Sequence, residues 1–397
     1  MTQPTSHHAN GPAAAGEPGS RPRNQAAWLD GPFAALTVRP APYTAPDPDE
    51  IVIRNRAIAV NPLDEIKQAT GNLMYRWLPY PSVLGEDVAG EVVEVGSAVT
   101  RFSVGDRVLA YVVGMEKGRN HQPEGGFQLY SVARAMLAAP LPESLSFEQA
   151  AVLPLAVSTA ASALFQSDQL GLRHPVPVPP AEAAPAGGRE AVVVWGGSTS
   201  VGSNAIQLAR AAGYEVVTTA SPHNHDVVRR LGASHVFDYA SPTAVRDIAA
   251  VLAGVTVAGV FAAGTGSAEP AVAVAIATGA TRVSLASPSV SLGGLPQRRG
   301  PSRALLRVGV GMIGGNVALQ VRCRRRGIRA RFVWGSSLMT NEVGPMLWQR
   351  FLPAALADGR YLAAPAPHVV GLGLDQVQPA LAALRRGVSA RKLVVTL

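Results

Sequence analysis

Residues 191–210 read AVVVWGGSTSVGSNAIQLAR. Five residues suited to a buried strand, Ala191 to Trp195, run into a loop of small residues that opens an amphipathic helix. A pyrophosphate needs backbone N–H groups aimed at it, a helix N-terminus behind it and nothing bulky in between. Every residue from Gly196 to Ser200 is small, Ser198, Thr199 and Ser200 add hydroxyl donors, and Val201 and Gly202 let the helix pack close to the strand. The spacing of Gly196, Gly197 and Gly202 nevertheless misses G-x-G-x-x-G. The stretch is therefore either an ordinary strand-to-helix turn or a dinucleotide cradle in which hydroxyls replace the middle glycines.

Downstream the strand–helix alternation continues. Strands over 191–195, 215–220, 235–239 and 257–263 alternate with helices over 202–212, 224–231 and 243–253, the pattern of a doubly wound parallel sheet. In a dinucleotide fold the end of the second strand meets the adenosine ribose, and an acid there accepts from a 2′-hydroxyl. Here that strand ends in Ser221, Pro222, His223 and Asn224, with no acid before Asp226. Such a patch suits a 2′-phosphate, so NADPH is the expected cofactor. His223 and His225 read equally as an exposed helix cap.

Upstream, residues 1–34 are rich in Pro, Gly, Ser, Asn and His and read as a disordered tail. From Ala35 short strands separated by turns (AALTV, EIVIRNRAIAV, VAGEVVEVG, GDRVLAYVV) suggest a barrel-like β-module, followed by a helix near 154–170. The Pro- and Ala-rich run at 173–190 reads as a surface loop, and residues 288–331 show only weak periodicity. Helices near 341–358 and 375–387 and a closing strand KLVVTL complete the chain, with no internal repeat.

Of 397 residues, 47% are hydrophobic and only 16% charged, which fits a compact protein large enough for two domains. The net charge of +8 comes almost wholly from arginine, because Lys67, Lys117 and Lys392 are the only lysines. Most arginines are scattered without interleaved aromatics, which argues against nucleic acid. The single cysteine, Cys323, excludes an internal disulfide and any zinc site built on several thiolates. No signal peptide is visible, and the uncharged run at 248–268 reads as strand and loop rather than a membrane span. A cytoplasmic protein is expected.

Several separated motifs now carry a resemblance. The run from Val192 to Tyr239 looks like the cofactor half of the medium-chain dehydrogenase/reductase superfamily. AIAVNPLD, LGEDVAGEVVEVGSAV, FSVGDRVLAY and LSFEQAAVLPLAVSTA resemble its N-terminal catalytic half. GGSTS with SPHN, and GVSARKLVVTL at the C-terminus, are most similar to the zinc-free, trans-acting enoyl reductases that serve fungal polyketide synthases. The resemblance spans residues 35–287 and 345–397.

It implies an α/β protein made of a chaperonin-10-like β-barrel catalytic domain (35–160 and 340–397) and a Rossmann doubly wound parallel sheet binding NADPH (161–339). By motif match, Ser198, Thr199, Ser200 and Val201 would line the phosphates. Ser221, Pro222, His223 and Asn224 would surround the 2′-phosphate, with Tyr239 near the adenosine. Leu285 and Ala286, with Val388 and Ser389, would reach the nicotinamide side. Thr159, Ala160, Ala161, Ser162, Ala163, Leu164, Phe165 and Gln166 would line an acyl pocket. On the residues alone, Thr159–Gln166 reads as core packing, Tyr239 as a packed phenol, and Val388 and Ser389 as an ordinary turn.

Zinc-dependent relatives carry Cys and His where this chain has NPLD and GED (Gly85, Glu86, Asp87), so no catalytic zinc is expected. Without it, hydride delivery to an activated alkene is favoured over alcohol oxidation. The expected activity is reduction of an enoyl thioester presented by the acyl carrier domain of a polyketide synthase. The alternatives are a quinone or enone reductase of the same superfamily and an NADPH-binding partner without turnover. The lysine that follows the N-P-x-D aspartate by two residues is replaced by Ile66, which leaves Lys67 as a candidate cofactor contact or a solvated side chain. Tyr75 and Tyr80 are candidate proton donors that also read as packing residues. Arg322, Arg324, Arg325, Arg326, Arg329 and Arg331 form either a solvated loop or a landing surface for an acidic carrier domain.

Overall fold

The computed structural model describes residues 22–176, 189–287 and 303–397, with side chains from 314 onward in the last segment. The turn-rich pattern of the first part becomes two sheets. The larger has seven strands. Along its path run Ala366–Leu372, Arg391–Thr396, Glu50–Ala59, Asp87–Val95, Arg107–Tyr111 and Ala138–Pro140, and Tyr130–Arg134 pairs with Glu50–Ala59. The smaller joins Leu36–Ala41, Asn24–Leu29 and Ser82–Val83.

Asn24–Leu29 corrects one expectation, since it falls inside the stretch read as a disordered tail. NQAAWL packs its apolar side chains inward, with Ala26, Ala27 and Leu29 fully buried, and pairs in antiparallel register with Leu36–Ala41. Six residues with a buried face are enough for a strand, whatever the composition around them. Residues 1–21 of that tail, most of the 173–190 loop and residues 288–302 lie outside the described residues.

The third sheet has six parallel strands: Glu190–Trp195, Glu215–Thr219, His235–Phe237, Thr256–Ala262, Arg282–Leu285 and Arg329–Phe332. Numbered in chain order they lie 3-2-1-4-5-6, the order of a Rossmann sheet, so Trp195 and Ala262 end side by side at the switch point. The continuous apolar run at 191–195 follows from burial on both faces.

The region of weak periodicity holds a helix, Arg303–Arg325, and the edge strand Arg329–Phe332. Gly309, Gly311, Gly314 and Gly315 dilute the helical signal there without breaking the helix. The helix expected near 341–358 is present as one continuous run made of three pieces, Val343–Pro345, Met346–Phe351 and Leu352–Ala357. Its middle piece is a π-turn placed just before Pro353, which has no N–H to continue an α-ladder.

The C-terminal segment rejoins the first sheet through the closing strand. Arg391–Thr396 lies antiparallel to Glu50–Ala59, which returns the end of the chain to the first sheet. One apolar stretch, Phe147–Phe165, is long enough to cross a membrane, but 83% of its window is buried inside the protein, where it forms the core helix Pro154–Phe165.

Candidate active site

The loop of the opening motif is as tight as its composition suggests. Gly196 has a φ of +89°, and a Cβ there would sit 2.1 Å from Ala263 O. A Cβ on Gly197 would meet Thr218 Oγ1 at 2.2 Å, and one on Gly202 would meet Gly196 O at 2.2 Å. Thr199 caps the helix Ser200–Ala211, its Oγ1 accepting from the Gly202 N–H at 3.0 Å. The loop is thus pressed against the sheet, with the N-terminus of a twelve-residue helix behind it.

Ser198, Thr199, Ser200 and Val201 open onto a cavity of about 520 Å³ between the two sheets. Its Rossmann side also includes Gly264, Thr265, Ala286 and Ser287, with Phe332 to Gly335 beyond the edge strand. Asn61, Leu63, Ile66, Tyr111, Leu155 and Thr159 line the opposite wall. Val388 and Lys392 close the cavity from the C-terminal segment.

A buried polar network anchors that opposite wall. Lys392, 4% exposed, pairs with Asp87 and donates to Asn61 Oδ1 at 2.8 Å. Asn61 Nδ2 donates to Asp87 Oδ2 at 2.7 Å, and the Leu155 N–H donates to Asp87 Oδ1 at 2.6 Å. Asp64 accepts from the N–H groups of Asn61 and Gly85 at 2.8 and 3.0 Å. Complete burial outweighs those two donors and pushes its carboxyl up to about 7. Four segments distant in sequence are thereby fixed around one point.

The second sequence patch is also assembled. Ser221 Oγ lies 3.5 Å from Tyr239 Oη, while His223 Nε2 and Asn224 Nδ2 lie 3.2 and 3.0 Å from Ser389 Oγ. Ser389, expected on the nicotinamide side, stands instead with the 221–224 patch, whereas its neighbour Val388 faces the cavity. Tyr239 is exposed rather than packed in the core.

Residues 47–143 match the family described as "Alcohol dehydrogenase GroES-like domain". The chain is 45% identical over 378 residues to dehydrogenase pigH of Monascus ruber, covering 95% of this chain and all of that protein. The chain belongs to the medium-chain dehydrogenase/reductase superfamily. It is an oxidoreductase of that superfamily, for which a nicotinamide cofactor is implied. Trans-enoyl reductase himH of Aspergillus japonicus is 40% identical over 381 residues, 94% of this chain and 97% of that protein. The solved CurK enoyl reductase shares the fold, with a TM-score of 0.67 at 18% identity over 94% of this chain and 99% of that one.

Within this dehydrogenase/reductase fold the residues suit a dinucleotide. The compressed glycines, the capped helix and the cavity at the switch point together give a pyrophosphate donors and room. Other expected site residues lie elsewhere. Of Thr159–Gln166 only Thr159 reaches the cavity. Ser162 Oγ donates to Gly335 O and Gln166 Nε2 to Ser337 Oγ, while Ala160, Ala161, Ala163, Leu164 and Phe165 pack in the core. Ala286 lines the cavity, but Leu285 is buried in the sheet's packing layer.

Lys67 is neither solvated nor at the cavity. One residue along a helix turns the side chain by about 100°, so with Ile66 on the cavity wall Lys67 faces the following loop. There it donates to the carbonyls of Tyr75 and Leu78, both at 3.1 Å, and lies 4.4 Å over the Tyr80 ring. Tyr75 and Tyr80 are absent from the cavity lining as well, and their hydroxyls have no hydrogen-bond partner among the described residues. Among the same residues, no three His, Cys, Asp or Glu side chains form a metal-holding group.

Sequence reasoning missed Asn61, Tyr111, Lys392 and Thr265, whereas the resemblance already put a substrate-side segment near residues 330–334, of which Phe332, Val333 and Trp334 line the cavity. The NPLD and GED motifs were the available signal for the polar network.

Proposed function

We propose that the protein is an NADPH-dependent enoyl reductase acting in trans on an enoyl thioester held by the acyl carrier domain of a polyketide synthase. The observation that carries this reading is a pair of patches: the hydroxyl-rich loop Ser198–Val201 on the cavity, and the carboxylate-free cluster of Ser221, His223, Asn224 and Ser389, tied to it through Val388, the neighbour of Ser389 that lines the cavity. The likeness to proteins named trans-enoyl reductases, himH and tndF of Aspergillus flavipes, supports the substrate class. A cytoplasmic location accords with such a role.

When bound, the cofactor supplies the hydride. Ser198, Thr199, Ser200 and the backbone of Val201 would hold its pyrophosphate, and His223 and Asn224 would donate to a 2′-phosphate. Leu63, Ile66, Leu155, Phe332 and Val333 form an apolar chamber that would orient the acyl chain and exclude water. The edge strand Arg329–Phe332 reaches that wall at Phe332, and the arginines of 322–329 lie toward its other end, where they would offer a landing surface for an acidic carrier domain apart from the chamber itself. Arg331 pairs with Asp168, while Arg322, Arg324, Arg325, Arg326 and Arg329 carry no ion pair among the described residues.

Titration should show tighter binding of NADPH than of NADH, and turnover should favour enoyl thioesters over quinones and alcohols. Charge reversal at Arg324–Arg326 should slow reduction of carrier-bound substrate and spare a short soluble thioester. A clear preference for NADH would overturn the cofactor assignment, turnover of quinones alone would overturn the substrate class, and equal losses on both thioesters would overturn the landing surface.

A further inference from the structure

Behind the cavity wall lies an acid–phenol pair that the reading above leaves unused. Tyr111 ends the strand Arg107–Tyr111, lines the cavity and is only 1% exposed. Its hydroxyl donates to Glu86 Oε1 at 3.5 Å. Glu86 is equally buried, and its Oε2 has no hydrogen-bond partner among the described residues. A buried carboxyl with a free oxygen is costly unless it carries a proton.

The groups around Glu86 agree with a neutral acid. Asp64 faces it from the helix Pro62–Thr70, Asp87 follows it in the chain, and Glu116 approaches from the loop after the Tyr111 strand. Tyr75 and Tyr111 border the same cluster. Lys392, a cation that acts on it, is already committed to Asp87. Glu116 accepts from Trp334 Nε1 at 2.9 Å. Burial first, and then the neighbouring carboxylates, push the Glu86 carboxyl well above the usual range.

We propose that Tyr111 is the catalytic residue that protonates the reduced substrate, and that Glu86 is the positioning residue and proton reservoir behind it. This rests on the enoyl-reductase reading above. Hydride addition forms a C–H bond at the β-carbon of the alkene and moves the π pair into a thioester enolate. The Tyr111 O–H bond then breaks as a C–H bond forms at the α-carbon. The phenolate takes the Glu86 proton, and the carboxylate is reprotonated from solvent once product leaves. The 3.5 Å separation is in keeping with a resting relay, since such bonds tighten when substrate is present.

The test uses the full-length protein, NADPH and a short soluble enoyl thioester in D₂O. Wild type should deuterate one face of the α-carbon. Tyr111→Phe should still quench on NADPH addition, lose about 100-fold or more in kcat, and deliver deuterium to both faces. Glu86→Gln should slow turnover and abolish the decline in rate that wild type shows at alkaline pH. A second measurement needs neither cofactor nor substrate. The folded state holds a proton on Glu86 that the unfolded chain releases, so wild type loses stability as pH rises above the ordinary carboxylate range. Glu86→Gln lacks that contribution and keeps the one from the raised Asp64 and Glu116 carboxyls, so its urea midpoint should climb relative to wild type between pH 5 and 9.

A Tyr111→Phe enzyme with wild-type kcat and a single deuterated face overturns the donor assignment, and a midpoint difference that stays flat with pH overturns the reservoir. Failure of wild type to reduce any enoyl thioester overturns the functional reading and this proposal with it. Those three failures are distinguishable.

Discussion

Lys392 and Asp87 show why single residues matter at this site. The lysine is almost wholly buried, and its charge is tolerated because Asp87 and Asn61 meet it. Asp87→Asn removes the compensating charge and leaves an ammonium in a low-dielectric wall, which should lower stability by about 3–5 kcal/mol in urea denaturation. Adding Lys392→Met to that variant should recover most of the loss, because the orphaned charge goes with it. This pair was not legible in the sequence, since the residues lie 305 positions apart and only the closing strand brings them together. Lys67 could be found by counting from the NPLD motif, yet the helix turns it toward the loop carbonyls. The cradle was legible because all its parts are consecutive, from Gly196 to Gly202.

Among the elements, the helix Arg303–Arg325 resisted sequence reading for a reason that can be measured. Gly314 and Gly315 sit within it, and a Cβ on either would meet nothing within 4 Å. Their freedom serves no close approach, so it only weakens the helix. Gly314→Ala and Gly315→Ala should each raise stability by about 0.5–1 kcal/mol, seen as a higher thermal midpoint with unchanged nicotinamide-cofactor binding. The strand Asn24–Leu29 was hidden for a different cause. Its apolar run is short, and its partners, Leu36–Ala41 and Ser82–Val83, lie outside the stretch that a composition-based reading averages. The Rossmann strands were easier, because burial on both faces prints an unbroken apolar run such as AVVVW.

Over the whole molecule, the closing strand ties the C-terminal segment to the N-terminal sheet. Arg391–Thr396 lies between Ala366–Leu372 and Glu50–Ala59 and places Lys392 in the cavity wall. Removing residues 391–397 should open an interior seam of the sheet and strip Asp87 of its partner. The shortened chain should lose cooperative unfolding in the catalytic half, and circular dichroism with soluble yield would register that loss. A truncated protein that folds and unfolds like the parent would contradict this role. The placement of that strand also orders events in time. It emerges from the ribosome after every other described element, so the Ala57–Ala59 flank must wait uncovered while more than three hundred later residues are translated. During synthesis that bare flank is a natural ligand for a chaperone, and the catalytic chamber comes into being only once the last described strand has been made.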